Sequence, residues 1–158
     1  MATVCRTLAV NAAFLLEIKE DNRQLKEELQ ACKELLRHPC TERSDVRRWF
    51  DALAELRDQL AMHFALEDAY GYFEDAVLQA PQLCQRAEAL HQQHIGLFLD
   101  ICRIADKADQ LLHFKHESQQ LHQLSRAFFE FVDQFETHER LEDALILAVF
   151  EDDIGVGD

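Results

Sequence analysis

"HFALEDAYGYF" (residues 63–73) has the spacing of an amphipathic helix, yet two positions that should be apolar hold His63 and Glu67. Steps of three and four residues run back from His63 through Leu60, Leu56, Leu53 and Trp49, and forward through Glu67, Tyr70, Glu74 and Val77. The stripe is oily at its start and polar at its middle, where an imidazole and a carboxylate stand one turn apart on the inward face.

Three further segments behave the same way. One stripe runs from Leu8 through Asn11, Leu15, Ile18, Asn22, Leu25, Leu29 and Cys32 to Leu36. Another runs from Leu83 through Ala87, Leu90, His94, Leu97, Ile101, Ile104 and Ala108 to Leu111, and the last from Leu121 through Leu124, Phe128, Phe131, Phe135, His138, Glu142 and Leu145 to Val149. Turn signals separate the four at residues 37–45, 79–82 and 115–119. Four long helices with short connections must run antiparallel to their chain neighbours, so the expected fold is all-α, an up-down-up-down antiparallel four-helix bundle. Ser44 or Asp45 is placed to cap the second helix, Pro81 suits the first turn of the third, and Ser118 can cap the fourth.

Composition agrees. A chain of 158 residues, 48% hydrophobic, is the length of one domain, taken here as residues 1–158, and four glycines and two prolines leave little turn material. The formal charge of −14 repels phosphate backbones, which argues against nucleic acid as a partner. Five cysteines with no C-x-x-C pair suggest a reducing, cytoplasmic compartment. "LAVNAAFLL" (8–16) is interrupted by Asn11 and continues into a helical pattern, so it reads as helix rather than as a signal segment. "ALILAVF" (144–150) is far below the roughly 20 residues that span a bilayer, so no membrane association is expected.

Residues equidistant from a helical turn lie at the same height in an antiparallel pair. The midpoints of Asn22 with His63, of Glu67 with His94 and of His94 with His138 all fall inside the three expected turns, which puts the polar interruptions in one layer. Two ionised carboxylates brought together in a core cost several kcal/mol each if unpaired, and no Lys or Arg occupies any of the four stripes. A pair of metal cations would offset that cost, and mixed imidazole and carboxylate ligands suit iron better than manganese or zinc.

The repeated H-x-x-x-E-D at His63–Asp68 and His138–Asp143, together with "QHIGLF" (93–98), resembles the hemerythrin-like (HHE cation-binding) family over nearly the whole chain. That resemblance implies a four-helix bundle around a non-haem di-iron centre, commonly oxo-bridged or hydroxo-bridged. The implied roles are oxygen, peroxide or nitric oxide binding, sensing, carriage or an oxidase-type redox reaction. Matched position by position, His63, His94 and His138 become iron ligands, and Glu67 and Glu142 carboxylate bridges. The family places a histidine on the first helix where "DNRQLKEEL" has Asn22, so the ion nearer that helix is expected to have fewer strong ligands, with Glu17, Glu20 and Asp21 close by in sequence. His91, one turn before His94, and Tyr70, one turn beyond Glu67, are further candidates. His38, His113, His116 and His122 read as solvated. Iron storage or delivery, and a metal-free acidic interaction bundle, stand as alternatives. A ferritin-like enzyme would need two Glu-x-x-His motifs where only Glu88 to His91 offers one. Oligomeric state, and the choice among sensing, storage and catalysis, stay open at this level.

Overall fold

The computed structural model describes residues 3–40, 42–70 and 81–155, and the side chains of 20–40, 42–68 and 82–148. Four α-helices follow in order: α1 (Thr3–Arg37), α2 (Arg43–Tyr70), α3 (Cys84–His113) and α4 (Ser118–Gly155), with a short 3-10 turn (Pro81–Leu83) leading into α3. No strand occurs among the described residues. Each helix packs mainly on its chain neighbour, and α1 meets α4 over a smaller area, consistent with the expected four-helix bundle.

The apolar stripes become the core. Leu53, Leu56 and Leu60 of α2 are fully buried, as are Cys32 of α1, Ile101 and Ala108 of α3 and Phe128 of α4. They belong to one large apolar cluster drawn from all four helices, running from Leu36, Trp49 and Leu111 to Leu25, Phe64, Leu97 and Phe135. Burying one such side chain stabilises the fold by roughly 1.5–3 kcal/mol, so packing rather than intrinsic propensity holds these helices. A second, smaller cluster joins Leu83 of the 3-10 turn and Ala87 and Leu90 at the start of α3 to Leu145 of α4. On both helices the polar stripe residues fall between the two clusters: His94 between Leu90 and Leu97, and His138 with Glu142 between Phe135 and Leu145.

The helix starts follow a shared device. Asp45 reaches back from the first turn of α2, its carboxylate accepting from the Glu42 amide at 3.0 Å, and the Gln120 side-chain oxygen Oε1 accepts from the Glu117 amide at 2.9 Å at the start of α4. The third helical residue thus satisfies an amide that the helix cannot. Asp45 therefore serves the start of α2 from the third helical position, since the helix begins ahead of it at Arg43, and at α4 Gln120 does the same in place of Ser118. Pro81 opens the 3-10 turn rather than α3 itself. Across the bundle, Ser125 Oγ donates to the Leu36 carbonyl at 3.0 Å and Lys33 pairs with Glu136, fastening α1 to α4.

Leu53→Ala removes a fully buried side chain and is expected to lower unfolding free energy by about 2–5 kcal/mol in urea titrations. Leu147→Ala, at a position 62% exposed, is expected to leave the midpoint within about 0.5 kcal/mol of the parent.

Candidate metal centre

Three helices carry the histidines of the polar layer, and their side chains are closed off from water. His63 (α2) and His138 (α4) are each 1% exposed and His94 (α3) 3%, with Glu67 and Glu142 buried among them. The sequence therefore places all five residues correctly in depth and face. Two groups of donors converge. Glu67, His94, His138 and Glu142 offer ligand atoms that all lie within 4.8 Å of one another, and so do His63, Glu67 and Glu139. These clusters could hold a metal ion.

Within the groups, every histidine presents Nε2 inward. His63 Nε2 lies 3.0 Å from Glu67 Oε1 and 3.4 Å from Glu139 Oε1. His94 Nε2 lies 3.2 Å from Glu67 Oε2 and 3.3 Å from Glu142 Oε1, and His138 Nε2 lies 3.0 Å from Glu142 Oε1. Several of these approaches are close without being aligned. His63 Nε2, His138 Nε2, Glu67 Oε2 and Glu139 Oε1 are buried with no hydrogen-bond partner. Two donors each about 2.1 Å from an ion and about 90° apart sit about 3.0 Å from one another, so such spacing without alignment is what a shared third atom requires.

The other ring nitrogen of each histidine is held from outside. Asp21 of α1 contacts His63 Nδ1 at 2.8 Å, Asp68 of α2 contacts His94 Nδ1 at 3.1 Å, and the Gln93 amide oxygen of α3 contacts His138 Nδ1 at 3.0 Å. Each helix thus supplies the clamp for the histidine on the next one. An Nδ1–H bound this way leaves the Nε2 lone pair free to face inward and fixes the ring plane. The ring of Phe64 stacks on His94 with centroids 4.4 Å apart and adds a steric stop.

Electrostatics shows what the cluster does with its charge in the absence of a cation. Burial pulls the His63 imidazole down, but Asp21, Glu139 and Glu67 outweigh it and push its pKa up to about 12. His94 is also raised, burial being outweighed by Glu142, Glu67 and Asp68. Burial raises Glu67, and at Glu142 the same burial is overcome by His138 and His94, which hold that carboxyl below its usual range. The raised His63 imidazole therefore favours the positive charge that a Lys or Arg would otherwise bring to the layer. Among the described residues no Lys or Arg forms an ion pair with Glu67 or Glu142.

Several placements were not legible in the sequence. Glu139, one residue past His138 and off the stripe, enters the His63 group. Asp21, Asp68, Gln93 and Glu139 all sit one position from an inward-facing residue. A 100° step around the helix turns them toward the neighbouring helix, and that adjacency is the signal that could have found them. Asp21 contacts His63 Nδ1, on the outside of the ring, rather than the converging donors. Of the two carboxylates expected to bridge, Glu67 joins both groups and Glu142 the first. Asn22 is half-buried, its Oδ1 buried with no hydrogen-bond partner, and it lines with Glu139, Leu25, Leu29 and Phe135 a cavity of about 400 Å³ between α1 and α4. His91 is half exposed and turns to Asp68. Glu20 is exposed and paired with Arg23. The side chains of Glu17 and Tyr70 lie outside the described residues. His38, His113 and His122 are exposed as expected, whereas His116 is half-buried with an unpartnered Nδ1.

Comparisons with protein-family models, with curated proteins and with solved structures find no match for this chain. No described helix is long and apolar enough to cross a membrane.

The shifts predict an acid-leaning stability for the metal-free chain. The raised His63 and His94 stabilise fully below the ordinary histidine value of 6.5, and that contribution is lost as pH rises toward their folded values. The lowered Glu142 stabilises above 4.5 and loses this as pH falls, while the raised Glu67 adds a cost as pH climbs past 4.5. Chelator-treated protein is expected to melt higher at about pH 5.5 than at about pH 8.5, as read by circular dichroism.

Proposed function

We propose that the protein is a non-haem di-iron protein of the hemerythrin-like kind, which binds or reacts with dioxygen, peroxide or nitric oxide. The observation that carries this reading is the disposition of Glu67, whose two oxygens go to different histidines: Oε1 to His63 and Oε2 to His94. A carboxylate shared in this way suits a bridge between two ions, which in paired sites lie about 3.5–4 Å apart. The residues present fit such a pair. His94, His138, Glu142 and Glu67 would hold one ion, and His63, Glu139 and Glu67 the other, with Asn22 and Glu139 both lining the cavity between α1 and α4.

When bound, a di-iron centre supplies reversible redox chemistry and an exchangeable coordination position. The chain's own part is to position and to exclude water. Asp21, Asp68 and Gln93 hold the Nδ1 side of the three imidazoles, which turns Nε2 toward the position of an incoming ion, and Phe64, Phe135 and Leu25 screen the layer on one side. Cations would compete with protons for His63 and His94, whose affinity for a proton the neighbouring carboxylates raise, so uptake should release protons and weaken in acid. One feature favours iron storage or delivery as a second reading: the His63 group has a single imidazole and two carboxylates, a harder and less selective set than its neighbour.

Protein from iron-replete cells is expected to hold two irons per chain, with near-ultraviolet absorption that disappears on reduction. Glu67→Ala should lose both ions and Glu139→Ala only one, while His122→Ala should lose none. Equal iron in all four proteins would refute the assignment, and none in the parent would leave the acidic bundle as an interaction module. Removal of iron from the parent by a chelator in two phases, a fast ion and a slow one, would support the storage reading.

A further inference from the structure

A third set of donors lies outside the buried layer. Asp68 (α2) and His91 (α3) face each other at the surface, with Asp68 Oδ1 2.9 Å from His91 Nδ1 and both side chains near half exposure, at 44% and 50%. The same oxygen lies 3.1 Å from His94 Nδ1, whose side chain is 4% exposed. A single carboxylate atom therefore touches an exposed imidazole on one side and a buried one on the other. His91, His94 and Asp68 offer donor atoms within 4.8 Å of one another, and the two rings are 5.7 Å apart.

The inner group uses His94 through Nε2, so its Nδ1 is committed to Asp68. That leaves the half-exposed His91 Nδ1 and the Asp68 carboxylate, now paired with each other, as the donors that a cation arriving from water can reach. One imidazole and one carboxylate completed by water make a weak site for a first-row divalent ion, fit for capture and release rather than retention. The chain's charge of −14 concentrates cations at such a surface. A cation held there would share the Asp68 carboxylate with the His94 N–H, which links the surface pair directly to a buried donor.

We infer that Asp68 and His91 form a landing site for a divalent cation through which the buried cluster is loaded. The loading role rests on metal binding in the core as proposed above, whereas the landing site stands on its own geometry.

Two measurements separate the parts. Manganese(II) added below stoichiometry to the metal-loaded parent should broaden one histidine ring resonance, the one missing from His91→Ala, ahead of those of His38, His113 and His122. Anaerobic iron(II) uptake followed by absorbance should then be about tenfold slower in His91→Ala, reaching the parent's final iron content, with His122→Ala indistinguishable from the parent. Manganese that broadens all exposed histidines alike, or an uptake rate unchanged in His91→Ala, overturns the proposal. A lower final content in His91→Ala also overturns it, since His91 would then be a ligand of the core. A parent that takes up no buried metal overturns the core reading and the loading role together, while selective broadening of His91 would still support the landing site.

Discussion

Two carboxylates and three imidazoles share a space closed off from solvent and, among the described residues, without a Lys or Arg paired to them, and the rest of the molecule is arranged around that concentration of charge and lone pairs. Unpaired, each buried charge would cost several kcal/mol. The chain answers on two levels. The carboxylates around His63 and His94 raise both imidazoles, favouring their positive form, and Asp21, Asp68 and Gln93 hold the outer nitrogens so that every ring has a defined face toward the centre. The same features that make the layer tolerable without a cation make it ready to exchange protons for one.

Rigidity comes from the apolar residues on either side. The large cluster closes the layer with Leu25, Phe64, Leu97 and Phe135, and Leu83, Ala87, Leu90 and Leu145 lie beyond it on the 3-10 turn, α3 and α4. A polar layer flanked in this way cannot relax by shifting along the helices without pulling apolar side chains out of register. Clamps passed from α1 to α2, α2 to α3 and α3 to α4 also tie the layer to the antiparallel order, because each depends on a neighbour at the same height.

The layer is not symmetric. The His94 and His138 side has two imidazoles, whereas the His63 side has one, with Glu139 and the unpartnered Asn22 amide oxygen beside a cavity between α1 and α4. That cavity lies at the seam between α1 and α4, which among the described residues is less extensively packed than the seams between chain neighbours. Unequal donor sets predict unequal affinities, and the surface pair of Asp68 and His91 lies on the nitrogen-rich side, next to His94. Tight and labile positions would then face different regions of the surface.

Period-three-and-four patterning was enough to identify four helices, their inward faces and the depth of His63, Glu67, His94, His138 and Glu142, because helical geometry is local and one face of each helix must be buried. The antiparallel order followed from loop length, and loop midpoints then put the polar residues in one layer. What lay beyond that reading were residues a single step off the stripe. Whether Glu139 turns toward His63 or toward water, and whether Asp21 meets the ring's outer nitrogen or the converging donors, depends on how far each helix is rotated about its own axis. His91, too close to His94 in sequence to be assigned by spacing, ends at the surface because Asp68 on another helix meets it there. Rotation is decided by the packing of α1 on α2, of α2 on α3 and of α3 on α4, a sum over contacts between residues far apart in the chain, and no local pattern carries that sum.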